Sequence, residues 1–521
     1  MIRAYRPITP LFYAGGLLLA VLLAGLMLVS PFAGLALVFA ALVVTLAWLR
    51  PFYLLLLLIL GLPFHVFASR AMVGLFNVSQ GTVEMFAYWK EGVMALLIGV
   101  LLLRRLFGQD RFKVKLYPFD LGLACIALLM GAYIFVGPLL NVGIYGFRNY
   151  LEPLVVFYLL RAVPVSARQL RFLVLAMLGV SVVMALIGIY QVAFWNFNDL
   201  YNWGFREADG TIPNAFYTAE VERQPHLRAI GTVTSPNELG LMLVLAIAIA
   251  LVFALQPQRA LWQRAILLAV TGICGVAVLL TYSRSSLVGL LSMVAALAVL
   301  EIGFRNLGQA LRYALRSPGT ILALLALAAL LVVGAERVGL VARITRALNM
   351  NDPSAVGHLA SYEASIPFIL DHPLGIGTGM AGPRALKFSD KVKIEHVESS
   401  WLQMMMEIGI LGALFTLGIY LMMVWTLRAE RQRWGGGHGS SLLARALPGA
   451  ALGSLPVAPA SSGAPTAPVL DPFFDAVSIA AQAAWLGAMV AFTFLPLMQE
   501  LQLMSYLWIA AAIPLVAVRE R

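Results

Sequence analysis

The chain has 521 residues, of which 61% are hydrophobic and only 12% are charged. Soluble domains average ~45–50% apolar and ~25% charged residues, so this composition excludes a soluble globule, a disordered chain and a nucleic-acid-binding domain. The apolar stretches have the length of helices rather than of the ~10-residue alternating strands of an outer-membrane barrel. The composition therefore predicts an all-α, polytopic membrane helix bundle.

The apolar stretches predict about 12–14 transmembrane helices. Two long segments between them, 195–235 and 337–398, are expected to form loops, the second one large and partly helical. The predicted spans lie at 11–29, 33–49, 51–67, 91–103, 118–137, 147–163, 172–194, 236–256, 265–282, 286–303, 319–335, 399–427, 476–494 and 501–517.

The orientation follows from the basic residues, which give the chain a formal net charge of +11. Cytoplasmic loops carry an excess of Lys and Arg. With the N-terminus inside, the strongly basic loops all fall inside. Both termini are therefore predicted to be cytoplasmic, and both long loops lie outside. The basic inside loops are those around 104–115, 161–171, 259–264, 305–316 and 428–433.

Composition divides the chain into four predicted units. Residues 1–137 form N-terminal transmembrane helices, and 138–427 form a membrane core that includes both outside loops. Residues 428–475 are rich in Gly, Ala and Pro and indicate a flexible cytoplasmic linker. Residues 476–521 form C-terminal transmembrane helices.

Three arginines, Arg148, Arg228 and Arg284, fall at the outer face in this topology. A charged side chain at membrane depth costs at least ~2.5–3.5 kcal/mol, so each needs a compensating role. Each one could extend to the interface or pair with an acid. Alternatively, the three form an anion site, because a guanidinium donates two parallel hydrogen bonds to a phosphate. A lipid pyrophosphate headgroup would lie at this depth.

A second polar group ends the 337–398 loop and opens the next span, where residues 395–400 read Glu-His-Val-Glu-Ser-Ser. Glu398 or His396 could act there as a general base between an aqueous sugar and a lipid headgroup. The alternative is a solvated helix start, with Ser and Glu near the positive end of the dipole. Glu407 lies deeper, where a structural hydrogen bond or an arginine partner is the alternative to a supporting role. The sequence offers no metal-ligand cluster and no phosphate-binding Gly-Lys-Ser/Thr loop, so neither a metal nor a cofactor is expected.

Three segments resemble motifs of the O-antigen ligase/polymerase superfamily in their order and outer placement. The first is Arg-Ala-Ile-Gly-Thr-Val-Thr-Ser-Pro-Asn-Glu-Leu-Gly at 228–240, and the second is Thr-Tyr-Ser-Arg at 281–284. The third is Asp-His-Pro-Leu-Gly-Ile-Gly-Thr-Gly at 371–379, followed by Trp-Leu-Gln at 401–403 and Glu-Ile-Gly-Ile-Leu-Gly at 407–412. The resemblance covers roughly residues 140–425.

The resemblance implies a glycosyltransferase of the bacterial inner membrane that uses undecaprenyl-pyrophosphate-linked glycans at the periplasmic face. It assigns the lipid pyrophosphate to Arg228 and Arg284, and by extension to Arg148. Asn237 and Glu407 are implied as supporting residues. His358 stands where relatives often carry an arginine, so it is a further candidate for a supporting contact.

The resemblance also bears on the acceptor. Ligases of the superfamily carry a histidine followed by Asn, Ser or Gln, then nine residues and Gly. Alignment on Gly409 puts Glu398 at that histidine position and leaves His396 out of register. Polymerases often lack this histidine, so the resemblance favours a polymerase of an O-antigen or exopolysaccharide, with a chain-length regulator as a candidate partner. The alternatives are a ligase that transfers the finished glycan to lipid A-core, and a non-enzymatic transporter or flippase.

Overall fold

The computed structural model describes residues 31–108, 114–207, 209–217, 226–256, 258–302, 353–391, 397–434 and 471–519. In these residues the secondary structure is helical apart from an isolated antiparallel bridge between Tyr217 and Leu227. The predicted all-α membrane bundle is confirmed. The predicted spans 11–29 and 319–335 lie outside the described residues.

The helices are numbered in chain order. They are α1 (Pro31–Leu49), α2 (Pro51–Gly61), α3 (His65–Gly74), α4 (Gln80–Ala87), α5 (Trp89–Leu106), α6 (Pro118–Tyr133), α7 (Leu140–Ala162), α8 (Ala167–Phe194), α9 (Phe197–Asn202), α10 (Pro236–Ala254), α11 (Leu261–Leu280), α12 (Arg284–Ile302), α13 (Pro353–Asp371), α14 (Ser400–Trp434), α15 (Pro472–Ala491) and α16 (Leu501–Arg519).

Nine helical runs within the described ranges are long and apolar enough to cross a membrane. They are α8, α10, α11, α12, α14, α15, α16 and two composite runs, Pro51–Gly74 and Gln80–Leu106. The short predicted span 91–103 is therefore part of a longer helical run that begins at Gln80. The chain is a multi-pass membrane protein by these lengths and compositions.

The last two helices lie in the middle of the bundle. The membrane-length segment of α16 is entirely buried, and its Trp508 packs on Trp485 of α15 with the ring centroids 4.7 Å apart. On its other side α15 crosses α12 closely, since a Cβ at Gly487 would lie 2.5 Å from the carbonyl oxygen of Gly289. Such close crossings are typical of small residues in membrane helices. The division into four units stays a prediction.

Helix ends gather at two opposite faces of the bundle. At the motif end, α10, α12, α14 and α16 begin and α11, α13 and α15 end; this end carries the three motif segments. At the opposite end, ion pairs join the helices. Arg161 lies 2.9 Å from Asp120, and Arg431 lies 3.0 Å from Glu301 and 2.7 Å from Asp475. The second end is the one that the charge pattern predicts to be cytoplasmic.

The ion pairs at that end are expected to differ in their contribution to stability. In Arg161→Met, the carboxylate of Asp120, whose side chain is only 6% exposed, loses its cation, and a broken buried pair costs about 3–5 kcal/mol. In the matched change Arg171→Met, the lost pair with Asp471 involves an arginine that is 48% exposed, and such pairs are worth about 1 kcal/mol or less. Thermal unfolding in detergent measures both. Equal losses in the two variants would contradict this ranking.

Candidate functional site

Arg228 connects the first two motif segments. Its Nε donates a hydrogen bond of 2.7 Å to the carbonyl oxygen of Thr281, and its Nη2 donates one of 2.9 Å to Oδ1 of Asn237. Its Nη1 donates to the carbonyl oxygen of Ala215 at 2.9 Å. Two nearby segments and the more distant turn at Thr281 therefore meet at this guanidinium. Asn237, predicted as a supporting residue, contacts Arg228 directly.

The turn at 281–284 presents Arg284 as the first residue of α12. Tyr282 has a φ of +51°, a left-handed conformation that is uncommon for residues other than glycine and is often found at functional sites. The hydroxyl of Ser283 accepts the N–H of Ser286 at 3.2 Å and so caps the helix. Arg284 is half-buried, at the positive end of a helix dipole. The turn thus combines a guanidinium with a helix N-terminus, which also favours anions.

Gly240, the last residue of the first motif segment, allows α10 to approach α12 closely. A Cβ at Gly240 would lie 2.3 Å from Oγ of Ser286. The same hydroxyl donates to the carbonyl oxygen of Asn237 at 3.2 Å. The close approach therefore fixes Asn237, and with it Arg228, relative to the turn at 281–284.

Arg148 lies in a different environment, on α7 beside α5. Its Nε is 3.0 Å from Glu152 and its Nη1 is 3.6 Å from Glu91. Lys90 is 3.4 Å from the same Glu152, and the Arg148 guanidinium lies over the ring of Tyr145. This is the acid-paired arrangement that the sequence left open for each arginine. A pyrophosphate contact by Arg148 would have to compete with two carboxylates, and its role stays a prediction.

The loop at 371–379, named here the Pro/Gly loop, packs between α6 and α14. Gly375, Gly377 and Gly379 have φ values of +86°, +117° and +81°. Residues other than glycine rarely adopt such values. The N–H of Ile376 donates to the Met406 carbonyl at 2.8 Å. The Thr378 hydroxyl donates to the carbonyl of Met130 on α6 at 2.9 Å. The glycines of this motif therefore serve the packing of the loop.

The Pro/Gly loop packs against α14 at a point where that helix is broken. Gly409 has a φ of +80° and a ψ of +169°, and a Cβ there would lie 2.7 Å from the carbonyl oxygen of Pro373. That oxygen accepts the N–H of Ile410 at 3.0 Å. The loop thus replaces a hydrogen bond that the broken helix lacks.

Glu407 lies just before this break and is fully buried. Its Oε1 accepts hydrogen bonds from Gln403 at 3.0 Å and from Gln499 at 3.4 Å. These contacts correspond to the structural hydrogen bond that is the predicted alternative role of Glu407.

The start of α14 holds the segment between α15 and α16, residues 492–500. The Ser400 hydroxyl donates to the carbonyl of Leu495 at 2.6 Å and accepts the N–H groups of Leu497 at 2.8 Å and Met498 at 3.2 Å. The Trp401 indole donates to Met489 at 3.1 Å. Ser400 is 1% exposed, so it has a structural role at the mouth of the predicted span.

Glu398 precedes α14 and contacts His358 of α13. Nδ1 of His358 lies 2.5 Å from Oε2 of Glu398, and the two side chains are 29% and 31% exposed. The atoms meet at ion-pair distance without the angles of a linear hydrogen bond. The structure thus brings together two of the predicted site residues. His396 lies outside the described residues.

Two half-buried arginines at the motif end, Arg70 and Arg384, are not predicted from the sequence. Arg384 forms a two-pronged pair with Glu500, with Nε 3.1 Å from Oε1. Burial lowers the pKa of Arg384, but Glu500, with Tyr145 and Glu238, raises the pKa above its usual value. Arg70 donates to the Thr234 carbonyl at 3.2 Å. The local signal for Arg384 is weak, because the arginine only follows a proline in the 337–398 segment.

The fold and the site define a multi-pass membrane protein with a polar, arginine-containing site at one end of its helices. The sequence profile of the O-antigen ligase family matches residues 269–417. The match includes Arg284, His358, the Pro/Gly loop, Glu398 and Glu407, and it confirms the resemblance to the O-antigen ligase/polymerase superfamily. It supports glycosyltransferase-like enzyme activity on lipid-linked glycans. No curated protein matches the chain.

The break in α14 is expected to require glycine. Gly409→Ala should lower the unfolding temperature, because a side chain in this backbone conformation costs about 1–3 kcal/mol and its Cβ would also meet the Pro373 carbonyl. Gly418→Ala, in the same helix, should be neutral or stabilising, because nothing lies within 4 Å of its Cβ position. Detergent-solubilised protein is compared by thermal unfolding. A stable Gly409→Ala protein would show that the break is not required.

Proposed function

We propose that the protein polymerises undecaprenyl-pyrophosphate-linked repeat units of a surface polysaccharide, either O-antigen or exopolysaccharide. It would act in the bacterial inner membrane, with both termini in the cytoplasm and the motif end at the periplasmic face. The arrangement of Arg228 carries this proposal. Its guanidinium is held by Thr281 and Asn237 against the turn that presents Arg284 at a helix N-terminus.

The chemistry divides between two sides of the site. On the donor side, Arg228 and Arg284 neutralise the diphosphate and stabilise the charge that develops as it leaves. On the acceptor side, a sugar hydroxyl loses its proton in the region of Glu398 and attacks the anomeric carbon from the face opposite the diphosphate. The new glycosidic bond forms as the bond to the diphosphate oxygen breaks, so the configuration inverts. Neutralisation by arginines lets the diphosphate leave without a metal ion.

The acceptor distinguishes a polymerase from a ligase. A polymerase uses a second lipid-linked glycan, whereas a ligase uses lipid A-core. Glu398 occupies the position where the resemblance places the ligase histidine, and this favours the polymerase. A ligase is the second candidate, and a transporter or flippase is the third. The charged motif residues lie near helix ends, whereas transporters bind substrates near the bilayer midplane.

The glycans of a strain that lacks the protein distinguish these functions. Lipid-linked glycans and surface polysaccharide are extracted and sized. We expect single repeats on the lipid carrier and no long chains, because the step that joins repeats is missing. Long chains that remain on the carrier would instead identify a ligase. Normal glycans in both pools would contradict both enzyme functions.

The donor site is tested at Arg284 in the complemented strain. We expect Arg284→Ala to lower transfer by about 100-fold or more, since it removes a charge that stabilises the leaving group. Arg284→Lys should keep part of the activity, because an ammonium supplies charge without the planar pair of donors. Arg206→Ala is the matched control, since this arginine stacks on Tyr201 in the 195–235 loop. Full transfer by both Arg284 variants at wild-type expression would overturn the pyrophosphate role.

A further inference from the structure

We propose that His358 accepts the proton of the acceptor hydroxyl and that Glu398 is the carboxylate that orients it. This inference rests on the proposed glycosyl transfer and assigns its proton-transfer step to a pair of residues on two elements, α13 and the segment before α14.

The pair is fixed by a polar stripe on α13. His358, Ser361 and Tyr362 follow the i, i+3, i+4 spacing of one helix face. The Ser361 hydroxyl accepts the backbone N–H of Glu398 at 3.1 Å, and the Tyr362 hydroxyl donates to the carbonyl oxygen of Thr493. These bonds hold α13 both to Glu398 and to the segment between α15 and α16. The register that results brings the His358 ring to the Glu398 carboxylate.

The burial of Nδ1 shows which nitrogen of the His358 ring faces the Glu398 carboxylate. Nδ1 is buried and lies 2.5 Å from Oε2 of Glu398, yet the side chain as a whole is 29% exposed. The exposed part therefore belongs to the other atoms of the side chain. With Nδ1 facing the carboxylate, Nε2 is the ring nitrogen left for a substrate hydroxyl. The angle of the contact departs from a linear hydrogen bond, as is common before substrate binds.

The chemistry assigns the proton to the imidazole. Histidine is the side chain that most often transfers protons near neutral pH, whereas an ordinary carboxylate is a weak base for a sugar hydroxyl. As the hydroxyl oxygen bonds to the anomeric carbon, its proton moves to Nε2 and the diphosphate leaves with the electrons of the broken bond. The Glu398 carboxylate then stabilises the imidazolium, as in other carboxylate–histidine pairs. Water takes up the proton afterwards.

Tyr362 is a titratable group on the same face of α13 that also lies close to Glu398. Burial raises the pKa of its hydroxyl, a hydrogen bond with Ser399 lowers it, and the Glu398 charge raises it; the net pKa is above its usual value. Tyr362 therefore remains protonated at neutral pH and does not replace His358 as the base.

The test uses membranes that contain the full-length protein and, as substrate, the lipid-linked glycan that the deletion strain accumulates. We expect His358→Gln to lower the rate by about 100-fold or more and to leave the KM for the lipid-linked donor unchanged. Glu398→Gln should lower the rate as well, and the double variant should be no slower than His358→Gln, because the residues act as one unit. His372→Gln and Glu363→Gln are matched controls on the same helix and its following turn, and both should transfer at the wild-type rate.

Two further readouts separate proton transfer from a structural role. The wild-type rate should fall as the pH is lowered, because a base that is already protonated cannot accept the proton of the hydroxyl. His358→Gln should lose this fall, while His372→Gln retains it. Added imidazole should restore activity to His358→Ala, which also shows that the variant is folded.

The outcomes are distinct for the inference and for the proposed function. A His358→Gln protein with the wild-type rate and pH profile, beside an inactive Glu398→Gln protein, would overturn the inference and make Glu398 the base. The inference is also overturned if imidazole restores no activity to His358→Ala and the rate of His358→Gln still falls as the pH is lowered. A wild-type protein that transfers no glycan would overturn the proposed function and the inference together.

Discussion

The segment between α15 and α16 imposes the main constraint on this structure. Residues 492–500 connect the two central helices of the bundle, and Phe492, Leu495 and Met498 in this segment are buried. Backbone groups that leave a helix in such surroundings need internal partners, because water is not available. The Ser400 hydroxyl satisfies three of these groups, since it donates to the carbonyl of Leu495 and accepts the N–H groups of Leu497 and Met498. The start of α14 is therefore fixed by the need to satisfy this segment.

The same segment connects the parts of the candidate site. Tyr362 binds the carbonyl of Thr493 and so holds the α13 helix that carries His358. Glu500, at its other end, pairs with Arg384, which lies between the Pro/Gly loop and α14. The close crossing of α12 and α15 at Gly289 and Gly487 links it to the turn of Arg284. The donor-side and acceptor-side residues of the proposed reaction are thus connected to the same buried segment. Such fixed positions allow charged groups to stabilise a transition state without rearrangement.

The sequence predicts some of these features because their signals are local. Apolar runs locate most membrane helices, and the 228–240 segment places Arg228 near Asn237, which it contacts. Pairings between distant segments carry no such signal. The sequence predicts Arg148 as a pyrophosphate ligand, and it does not reveal that one of the neighbouring acids, Glu91, comes from another helix. Arg384 was missed because its partner, Glu500, is more than 100 residues away.

Other features were visible in the sequence but could not be interpreted there. Gly409 belongs to the third motif segment, yet only its contact with Pro373 shows why the helix breaks there. Ser400 was one of two hydroxyls at the mouth of a span, and its structural role depends on a segment that follows α15. In both cases the residue is explained by a backbone group that is remote in sequence.

The two sides of the site also differ in how they relate to the superfamily. The motif residues proposed to bind the donor, Arg228 and Arg284, stand where the resemblance places them. The acceptor side departs from the ligase pattern at two positions that touch each other, with Glu398 in place of a histidine and His358 in place of an arginine. Since the two departures form one contact, they are better understood as a single change than as two independent losses. In the proposed mechanism, a histidine on α13 in place of one just before α14 keeps a proton acceptor at the site and changes the direction from which it approaches the sugar. We propose this change, confined to the acceptor side, for an enzyme that accepts a second lipid-linked glycan instead of lipid A-core.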